Sequence, residues 1–259
     1  MTDAGQMFND GAAYERMMGR WSRLVAGQFL DWIAVPKGAR WVDVGCGNGA
    51  LTETLIERCA PASVAAIDPS EGQLAYARTR PGVKLAQFRV GDAQALPYGD
   101  KSFDAAAMAL VITFVPDPAK ATAEMKRVVR PGGVVATYMW DPVGIPLQPM
   151  REAMTALGMP LVTSPGHGRL EALRNFWHGA GLQSVGTCVI RIPVSFASFD
   201  DFWTSNAVPI GPQGQTLKQM SPAALERLRD QLRALLPVAA DGSIRYEAFA
   251  NAVKGRVPQ

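Results

Sequence analysis

The chain has 259 residues, of which 48% are apolar and 19% charged, and its formal net charge is +3. That size and composition suit a globular enzyme and argue against a membrane protein, since no run approaches the ~20 apolar residues of a span. The modest charge is not gathered into a basic block, which argues against a nucleic-acid partner. Three scattered cysteines, and residues 1–11 without a signal pattern, predict a reducing, cytoplasmic location and no metal site.

The first predicted elements are a strand, a glycine turn and a helix. Arg40–Val44 is strand-like, and Leu51–Cys59 carries its apolar residues at helical spacing. Between them, Gly45, Gly47 and Gly49 are typical of a tight turn, because residues without a Cβ adopt backbone angles closed to others and admit a ligand close to the main chain. Such a string also occurs in ordinary turns, so a binding site needs further evidence.

An acidic residue ends the next predicted strand. Asp68 follows the apolar run Val64–Ile67 and lies about 20 residues beyond the glycines, the separation at which an acid holds ribose hydroxyls in nucleotide-binding folds. Each hydrogen bond from a hydroxyl to the carboxylate would contribute about 1.5–3 kcal/mol. The glycine turn and Asp68 together predict a site for a nucleoside cofactor.

The alternation of strands and helices continues along the chain. Ser70 is predicted to cap a helix that ends near Arg80, and Asp117 with Pro118 begins another helix, which stops at Pro131. The later predicted strands are Val83–Val90, 103–110, Val134–Trp140, Val185–Ile192 and Ile244–Val253. Because the strands are largely apolar, they predict a parallel sheet covered by helices on both faces, with ligands beyond the carboxyl ends of the strands.

The spacing of the turn separates two classes of cofactor. Dinucleotide folds carry GxGxxG, whereas this turn reads GxGxG, with Ala50 where the third glycine of that fingerprint would lie. Asp43 lies two residues before the first glycine, where a carboxylate suits the ammonium and sulfonium of S-adenosylmethionine better than phosphates. A capping or turn-stabilising role for Asp43 is the alternative.

Four strings occur in a characteristic order: DVGCGNG at Asp43–Gly49, GDAQALPY at Gly91–Tyr98, FD at Phe103–Asp104 and RPGG at Arg130–Gly133. In that order they resemble the class I S-adenosylmethionine-dependent methyltransferases, in particular a bacterial small-molecule subgroup that is UbiE-like or type 11-like. The resemblance covers Trp41–Trp140. It implies a Rossmann-like α/β fold with a seven-stranded, mostly parallel sheet, helices on both faces and a small helical cap insert.

The resemblance also implies roles for residues at the strand ends. The glycine turn would pack on the methionine part of the cofactor, and Asp68 would bind the ribose. Asp92 and Ala93 would address the adenine amino group, while Leu110 and Val111 would cover the adenine face. The predicted cofactor-binding set is Tyr14, Arg20, Asp43, Gly45, Cys46, Gly47, Gly49, Asp68, Pro69, Ser70, Asp92, Ala93, Leu110 and Val111.

The string YERMMGRWS at Tyr14–Ser22 is similar to the helical lead-in of a bacterial branch of that family, which closes over the cofactor. By that resemblance, Tyr14, Arg16 and Arg20 are candidates for contacting the cofactor carboxylate, a ligand that suits a guanidinium fork. The alternative is a solvent-facing helix with an anchoring apolar side formed by Met17, Trp21 and Leu24. Both interpretations stay open on the sequence.

The predicted domains are a helical lid at 1–38, a core at 39–192 and 243–259, and a cap insert at 193–242. The cap insert and the connection 141–170 favour a small, partly apolar or aromatic methyl acceptor over a polymer, unless their large side chains serve only for packing. Those side chains, with their neighbours in the core, are Trp140, Met150, Met154, Trp177, Phe196, Phe199, Phe202 and Trp203. The oligomeric state is not predicted.

Methyl transfer from a sulfonium is an in-line displacement with a good leaving group. Alignment and exclusion of water therefore supply much of the acceleration, and a general base is optional. His167, Tyr14 and Asp141 are weak candidates for a base, Tyr138 is comparable, and no residue is assigned as catalytic. Thr113 stands where many relatives carry a histidine, so no role of that histidine transfers.

Two other functions stay open. An NAD(P)-dependent oxidoreductase would use the same first strand, glycine turn and Asp68, although the turn lacks its spacing. A non-catalytic module that binds S-adenosylmethionine or S-adenosylhomocysteine would show the same binding motifs. No GxSxG, GxxxxGK[ST], HExxH or CxxC string supports other chemistry.

Overall fold

The computed structural model describes residues 11–159, 161, 166–208 and 211–259, so the first ten residues of the predicted lid lie outside the described part of the chain. Seven of the described segments are strands of one sheet. The strands are β1 Arg40–Val44, β2 Ser63–Asp68, β3 Ala86–Val90, β4 Phe103–Ala109, β5 Val129–Trp140, β6 Gln183–Phe196 and β7 Ile244–Arg256.

Helices cover the sheet and precede it in the chain. The α-helices are α1 Gly11–Tyr14, α2 Arg20–Ile33, α3 Ala50–Cys59, α4 Glu71–Ala77, α5 Pro118–Val128, α6 Gln148–Ala156, α7 Leu170–Gly179, α8 Phe199–Asn206, α9 Gly211–Lys218 and α10 Pro222–Leu235. A π-helical turn, Glu15–Gly19, joins α1 to α2, and a 3₁₀ turn, Ile112–Phe114, follows β4. No helix within these ranges is both long and apolar enough to cross a bilayer.

The strand order β3-β2-β1-β4-β5-β7-β6 confirms the predicted, mostly parallel sheet. β1 pairs in parallel with β2 and β4, whereas β7 is antiparallel to β5 and β6. β1 is buried from its second residue onward, as expected for a strand covered on both faces. Because the chain reverses its direction of strand addition between β1 and β4, a crevice for a ligand is expected there.

Side-chain caps begin three helices, and those at Ser70 and Asp117 lie where the sequence predicts them. Ser70, Asp117 and Ser221 each accept a hydrogen bond from the amide three residues later, at 3.3, 3.0 and 3.2 Å. The predicted end of α4 at Arg80 was wrong, since the helix ends at Ala77. The amide of Arg80 bonds to Ala77 O, only three residues back, at 3.1 Å, which tightens the last turn out of α-helical geometry.

Two strand boundaries also differ from the prediction. β3 begins at Ala86 and not at Val83, because the Ala86 amide donates to Val83 O at 2.8 Å and closes a turn. β5 begins at Val129, ahead of the predicted Val134, since Val129 pairs with Phe103 before the register shifts. β6 and β7 exceed their predicted lengths because they pair with each other along nearly their whole extent.

The helix α2 fastens the amino-terminal segment to the sheet. Trp21, Val25, Phe29 and Ile33, spaced four apart, form its buried face. Phe29 packs on the ring of Tyr138 at the end of β5, with ring centroids 4.9 Å apart. Leu24, predicted as an anchor in the alternative interpretation of this segment, is 45% exposed, and that prediction was wrong.

Candidate functional site

One cavity of about 430 Å³ lies at the carboxyl ends of β1 to β4. A volume of that size is typical of small-ligand sites. Its walls are Tyr14, Ser22, Gly45, Cys46, Gly47, Asn48, Ala50, Leu51, Asp68, Pro69, Ser70, Gln73, Val90, Gly91, Asp92, Ala93, Ala109, Leu110, Val111, Phe114, Val115, Pro116 and Tyr138. Eleven of the fourteen predicted cofactor-binding residues are in that list, and Arg20, Asp43 and Gly49 are not.

The glycine turn after β1 forms one wall of the cavity. The amides of Gly45 and Cys46 both donate to Ile67 O, at 2.7 and 3.0 Å, which ties the turn to β2. Gly45 has φ +72°, and a Cβ there would lie 2.5 Å from the side chain of Val111. Only glycine therefore lets the turn and the end of β4 approach each other this closely.

Asp68 lies at the end of β2 and is directed at the turn. Its Oδ2 accepts the amide of Gly47 and its Oδ1 accepts the amide of Ser70, each at 2.9 Å. Each carboxylate oxygen retains a free lone pair, so two hydroxyl donors can still be accommodated. Burial raises the pKa of Asp68, and the two amides oppose that rise.

Asp43 does not line the cavity, because it points from the middle of β1 toward α3. It is fully buried, and its Oδ2 accepts the hydroxyl of Thr52 at 2.6 Å. Its Oδ1 has no partner among the described residues. Burial raises the pKa of Asp43 to about 7, which Thr52 opposes and the nearby Asp68 reinforces. The Asp43 side chain therefore does not face the cavity, where the predicted contact with the cofactor would be made.

Gly49 and Arg20 also lie outside the cavity. Gly49 begins α3 with φ +81° and lies close to the side chain of Ala77. The guanidinium of Arg20 lies over the rings of Trp21 and Phe196, 4.2 and 4.5 Å from their centroids. Arg20 precedes the cavity residue Ser22 by two positions, which places it about 200° away around the helix. The exposed Arg16 is not a cavity residue either.

The opposite end of the cavity lies between β3 and β4. Asp92 follows β3, is exposed at the mouth, and accepts from the amide of Gln94 at 2.9 Å. Leu110 directly follows β4 and has φ +61°, a conformation that is strained for a residue with a bulky side chain. Its amide donates to Tyr138 O at 2.9 Å, which holds the strained residue in place.

Two phenols reach the cavity from different elements. Tyr14 comes from α1, and burial raises its pKa to about 12, an effect that Ser22 opposes. Tyr138, from the end of β5, is 1% exposed, and burial raises its pKa well above the usual value. The hydroxyl of Tyr138 makes no hydrogen bond within the described part of the chain. Both phenols are therefore neutral donors at neutral pH.

The other candidates for a base lie outside the cavity. His167 packs edge-on against Phe176 with ring centroids 5.5 Å apart, and the residues just before it in its loop, 162–165, lie outside the described residues. Asp141 accepts from Asn251 Nδ2 at 2.7 Å and from the Val143 amide at 3.0 Å, so it braces the end of β5. Of the base candidates, Tyr14 and Tyr138 line the cavity, whereas His167 and Asp141 do not.

Most of the large apolar side chains that predicted an acceptor wall lie in the packed core, and Phe199 and Trp203 are half-buried against it. Phe196 lies 5.0 Å from Phe202 and 5.6 Å from Trp21, measured between ring centroids. Trp177 is fully buried and donates from Nε1 to Val135 O at 2.9 Å. None of the eight lines the cavity: Trp140, Met150, Met154, Trp177, Phe196, Phe199, Phe202 and Trp203.

Twelve cavity residues were absent from the predicted set. Ten of them lie within five positions of a predicted residue at a strand end, so a wider window around each strand end would have found them. Ser22 and Tyr138 differ, because only the folded chain brings α2 and β5 to the same cavity. The twelve are Ser22, Asn48, Ala50, Leu51, Gln73, Val90, Gly91, Ala109, Phe114, Val115, Pro116 and Tyr138.

The cavity carries negative charge only. Asp68 and Asp92 line it, whereas no lysine, arginine or histidine of the described residues does. The residues outside the described ranges contain no basic residue either. The electrostatic field of the site therefore favours a cationic ligand and disfavours an anionic one.

Comparison with known families matches residues 42–137 to a methyltransferase domain. Residues 42–137 thus carry a methyltransferase domain, and the chain is similar over this part to the class I S-adenosylmethionine-dependent methyltransferases. The matched methyltransferase domain contains most of β1, all of β2 to β4 and most of β5, and with them most of the cavity wall. The resemblance proposed from the four sequence strings is confirmed.

Relatives and solved structures extend that match. The demethylmenaquinone methyltransferase of Renibacterium salmoninarum is 41% identical over 122 residues, 46% of this chain and 48% of that protein. The trans-aconitate 2-methyltransferase of Acidovorax sp. is 35% identical over 145 residues, 55% of this chain and 54% of that one. The chain thus spans about half the length of the curated relatives it matches. The YcgJ protein of Bacillus subtilis, at 18% identity and a TM-score of 0.60 over 91% of this chain and 98% of that one, shows the same fold.

Proposed function

We propose that the protein transfers a methyl group from S-adenosylmethionine to a small, uncharged and partly apolar acceptor. The observation that carries the proposal is the cavity at the ends of β1 to β4, where a glycine turn and a buried carboxylate meet without any cationic side chain. A nicotinamide dinucleotide would bring a pyrophosphate, for which this cavity offers no positive charge. The methyltransferase domain and its relatives favour the same choice over an oxidoreductase.

The cofactor would extend from the glycine turn to the mouth of the cavity. Asp68 would accept both ribose hydroxyls through the lone pairs that the amides of Gly47 and Ser70 leave free. Asp92 at the mouth would accept from the adenine amino group, and the strained Leu110 would lie along the adenine face. These assignments follow from the position of each residue along the cavity.

Asp43 would act on the cofactor through its charge and not through contact. It is fully buried behind the turn, and its Oδ1 has no hydrogen-bond partner among the described residues. An unpaired buried carboxylate is costly, so a cation in front of the turn would be attracted to it. S-adenosylmethionine carries two positive groups, the ammonium and the sulfonium, and therefore suits this site better than a neutral nucleoside.

The acceptor would meet the two phenols. Tyr14 and Tyr138 are protonated at neutral pH, so each can donate a hydrogen bond to an oxygen or nitrogen of an uncharged acceptor. A carboxylate or phosphate acceptor would lie near Asp68 with no cation to offset the repulsion. Trans-aconitate, for which the Acidovorax relative is named, carries carboxylates. The uncharged acceptor proposed for this cavity therefore differs from it in charge.

In this mechanism the protein aligns the reactants and excludes water. When bound, S-adenosylmethionine supplies an electrophilic methyl group whose leaving group is a neutral thioether. Tyr14 and Tyr138 would orient the acceptor so that its lone pair lies in line with that methyl group. Because both phenols stay protonated at neutral pH, they cannot accept a proton, and the proton that the acceptor loses would pass to solvent.

A transfer assay with methyl-labelled S-adenosylmethionine tests the proposal. Matched pairs of small aromatic acceptors, each uncharged and as its carboxylated analogue, are supplied to the purified protein. Labelled product from the uncharged members alone is the expected result. Preference for the carboxylated members would contradict the assignment, and binding of S-adenosylmethionine without transfer to any acceptor would favour a non-catalytic binding module.

A further inference from the structure

One carboxylate fastens the amino-terminal segment to the glycine turn. Glu15 accepts a hydrogen bond from Nδ2 of Asn48 at 2.9 Å and another from the guanidinium of Arg80, and it also pairs with Arg23. Asn48 lies inside the glycine turn and lines the cavity. A side chain of the amino-terminal segment thus reaches the wall on which the cofactor is proposed to lie.

Arg80 also binds the glycine turn, through the main chain of Asn48. Its Nε donates to Asn48 O at 2.6 Å, and its Nη1 donates to Glu53 at 2.8 Å. The Arg80 side chain is 8% exposed, so its charge depends on the two carboxylates for compensation. Burial would raise the pKa of Glu15, but Arg80 and Arg23 hold that pKa below its usual value, and Glu15 is ionised at neutral pH.

The π-helical turn explains how this segment presents two residues to one cavity. Tyr14 and Ser22 both line it, although they are eight residues apart. In an uninterrupted α-helix, residues eight apart differ by about 80° around the axis. The π turn Glu15–Gly19 inserts an extra residue, which removes most of that rotation and aligns the two side chains. Glu15 opens that turn, so its hydrogen bonds fix the turn in place.

We propose that Glu15 is a positioning residue for the cofactor, which holds the π turn against Asn48 and Arg80 and thereby keeps Tyr14 over the cavity. The proposal rests on the proposed function only for the identity of the ligand. It goes beyond that function because Glu15 itself does not line the cavity. Its effect on binding passes through the turn and through Tyr14.

Gly19 offers a test that separates positioning from helix stability. Gly19 has ordinary helical angles, φ −57° and ψ −44°, but an added Cβ would lie 2.2 Å from the Glu15 carboxylate. Gly19→Ala would therefore displace that flexible carboxylate while favouring the helix. Gly27→Ala is the matched control in the same helix, since its Cβ would lie no closer than 3.7 Å to the nearest atom, in Arg58.

The measurement is the Kd of S-adenosylhomocysteine by calorimetry, with Tm recorded for each ligand-free variant. We expect Gly19→Ala and Glu15→Gln each to raise Kd at least about tenfold, since charge-assisted hydrogen bonds are lost. Gly27→Ala should bind as wild type and keep or raise Tm, whereas Gly19→Ala should lose no more Tm than Glu15→Gln, since both variants weaken the compensation of the Arg80 charge. The double variant Glu15→Gln with Gly19→Ala should be no weaker than the worse single variant, because both act on one connection.

Several outcomes would overturn the proposal. Wild-type affinity in both Glu15→Gln and Gly19→Ala would do so, and so would losses that add in the double variant. A lower Tm with unchanged Kd would mean that Glu15 has a purely structural role. Failure of the wild-type protein to bind S-adenosylhomocysteine would instead count against the proposed function, which keeps the two failures distinguishable.

Discussion

The amide of Gly47 donates a hydrogen bond to Oδ2 of Asp68 at 2.9 Å, across 21 residues of sequence. The carboxylate at the end of β2 therefore also holds the turn that follows β1. This relationship makes the predicted ribose site and the predicted methionine site one structural unit. A ligand that occupies both would find the turn already in its binding conformation, which lowers the cost of binding.

Replacement of Asp68 should remove the ribose contacts. Asp68→Asn keeps the volume but loses the charge, and the two proposed hydroxyl contacts should weaken enough to raise the Kd of S-adenosylhomocysteine about a hundredfold. The control is Asp31→Asn, which breaks the surface pair with Arg58. Calorimetry on both variants is the check. An unchanged Kd in Asp68→Asn would place the ribose elsewhere.

A side chain at Gly47 should block the cofactor and leave the fold intact. Gly47 has φ +50°, and the nearest atom to an added Cβ is Gln73 Oε1 at 4.0 Å, so the new side chain would enter open space beside the cavity. Gly47→Val should cost about 1–2 kcal/mol of stability through its left-handed backbone and abolish binding.

Gly38→Val is the matched control for that experiment. Gly38 also has positive φ, +77°, with nothing within 4 Å of its added Cβ, and it lies outside the cavity. It should show a similar loss of stability in chemical denaturation but wild-type binding. If Gly38→Val and Gly47→Val bound the cofactor equally well, the turn would not be the binding surface.

Cofactor binding should release protons because of Asp43. Its pKa in the ligand-free protein is about 7, and a nearby cation should lower that value. At pH 7, binding of S-adenosylmethionine should therefore release up to about half a proton, and the release should vanish well above pH 7. Calorimetry in buffers of different ionisation enthalpy measures this release. Asp43→Asn should abolish it, and proton release that persists in this variant would assign it to another group.

The Asp43 carboxyl group should also make the free energy of unfolding depend on pH. Since the folded-state pKa of Asp43 is raised from 3.8 to about 7, its stabilising contribution is complete below pH 3.8 and is lost as the pH rises through 7. Asp43→Asn should consequently raise Tm more at pH 8 than at pH 6, relative to wild type. Thermal unfolding at both pH values is the measurement. An equal change in Tm at the two values would mean that Asp43 titrates elsewhere.

Loss of the Tyr138 hydroxyl should affect the acceptor and not the cofactor. Tyr138→Phe keeps the buried ring, so we expect kcat/KM for the acceptor to fall about tenfold, with the loss of one hydrogen bond, while the Kd of S-adenosylhomocysteine stays unchanged. Tyr246→Phe is the control, because that hydroxyl donates to Pro146 O at 2.6 Å outside the cavity. Equal rates for Tyr138→Phe and wild type would remove Tyr138 from the acceptor site.

Local sequence signals predicted much of the fold and of the cofactor wall. Asp117 and Ser70 cap their helices because a cap depends on a hydrogen bond three residues along the chain. The glycine turn and Asp68 were predictable for a related reason: each lies at the end of an apolar strand, and parallel strands bring their carboxyl ends to one edge. These features depend on pattern and order, which the chain displays directly.

The residues that were missed or misplaced depend on contacts between distant elements. Arg20 has the chemistry to bind a carboxylate, but the π turn and the rings of Trp21 and Phe196 direct it away from the cavity. Tyr138 enters the cavity only because β5 lies beside β4 in the sheet. No periodicity or motif in the sequence specifies such a juxtaposition.

The central claim is that the cavity binds S-adenosylmethionine, and parallel calorimetric titrations with S-adenosylmethionine, S-adenosylhomocysteine, NADH and NADPH test it most directly. We predict that the first two bind and that neither nicotinamide does, because the cavity has two carboxylates and no cation for a pyrophosphate. Binding of a nicotinamide alone would contradict the account and would assign Asp68 to the ribose of a dinucleotide.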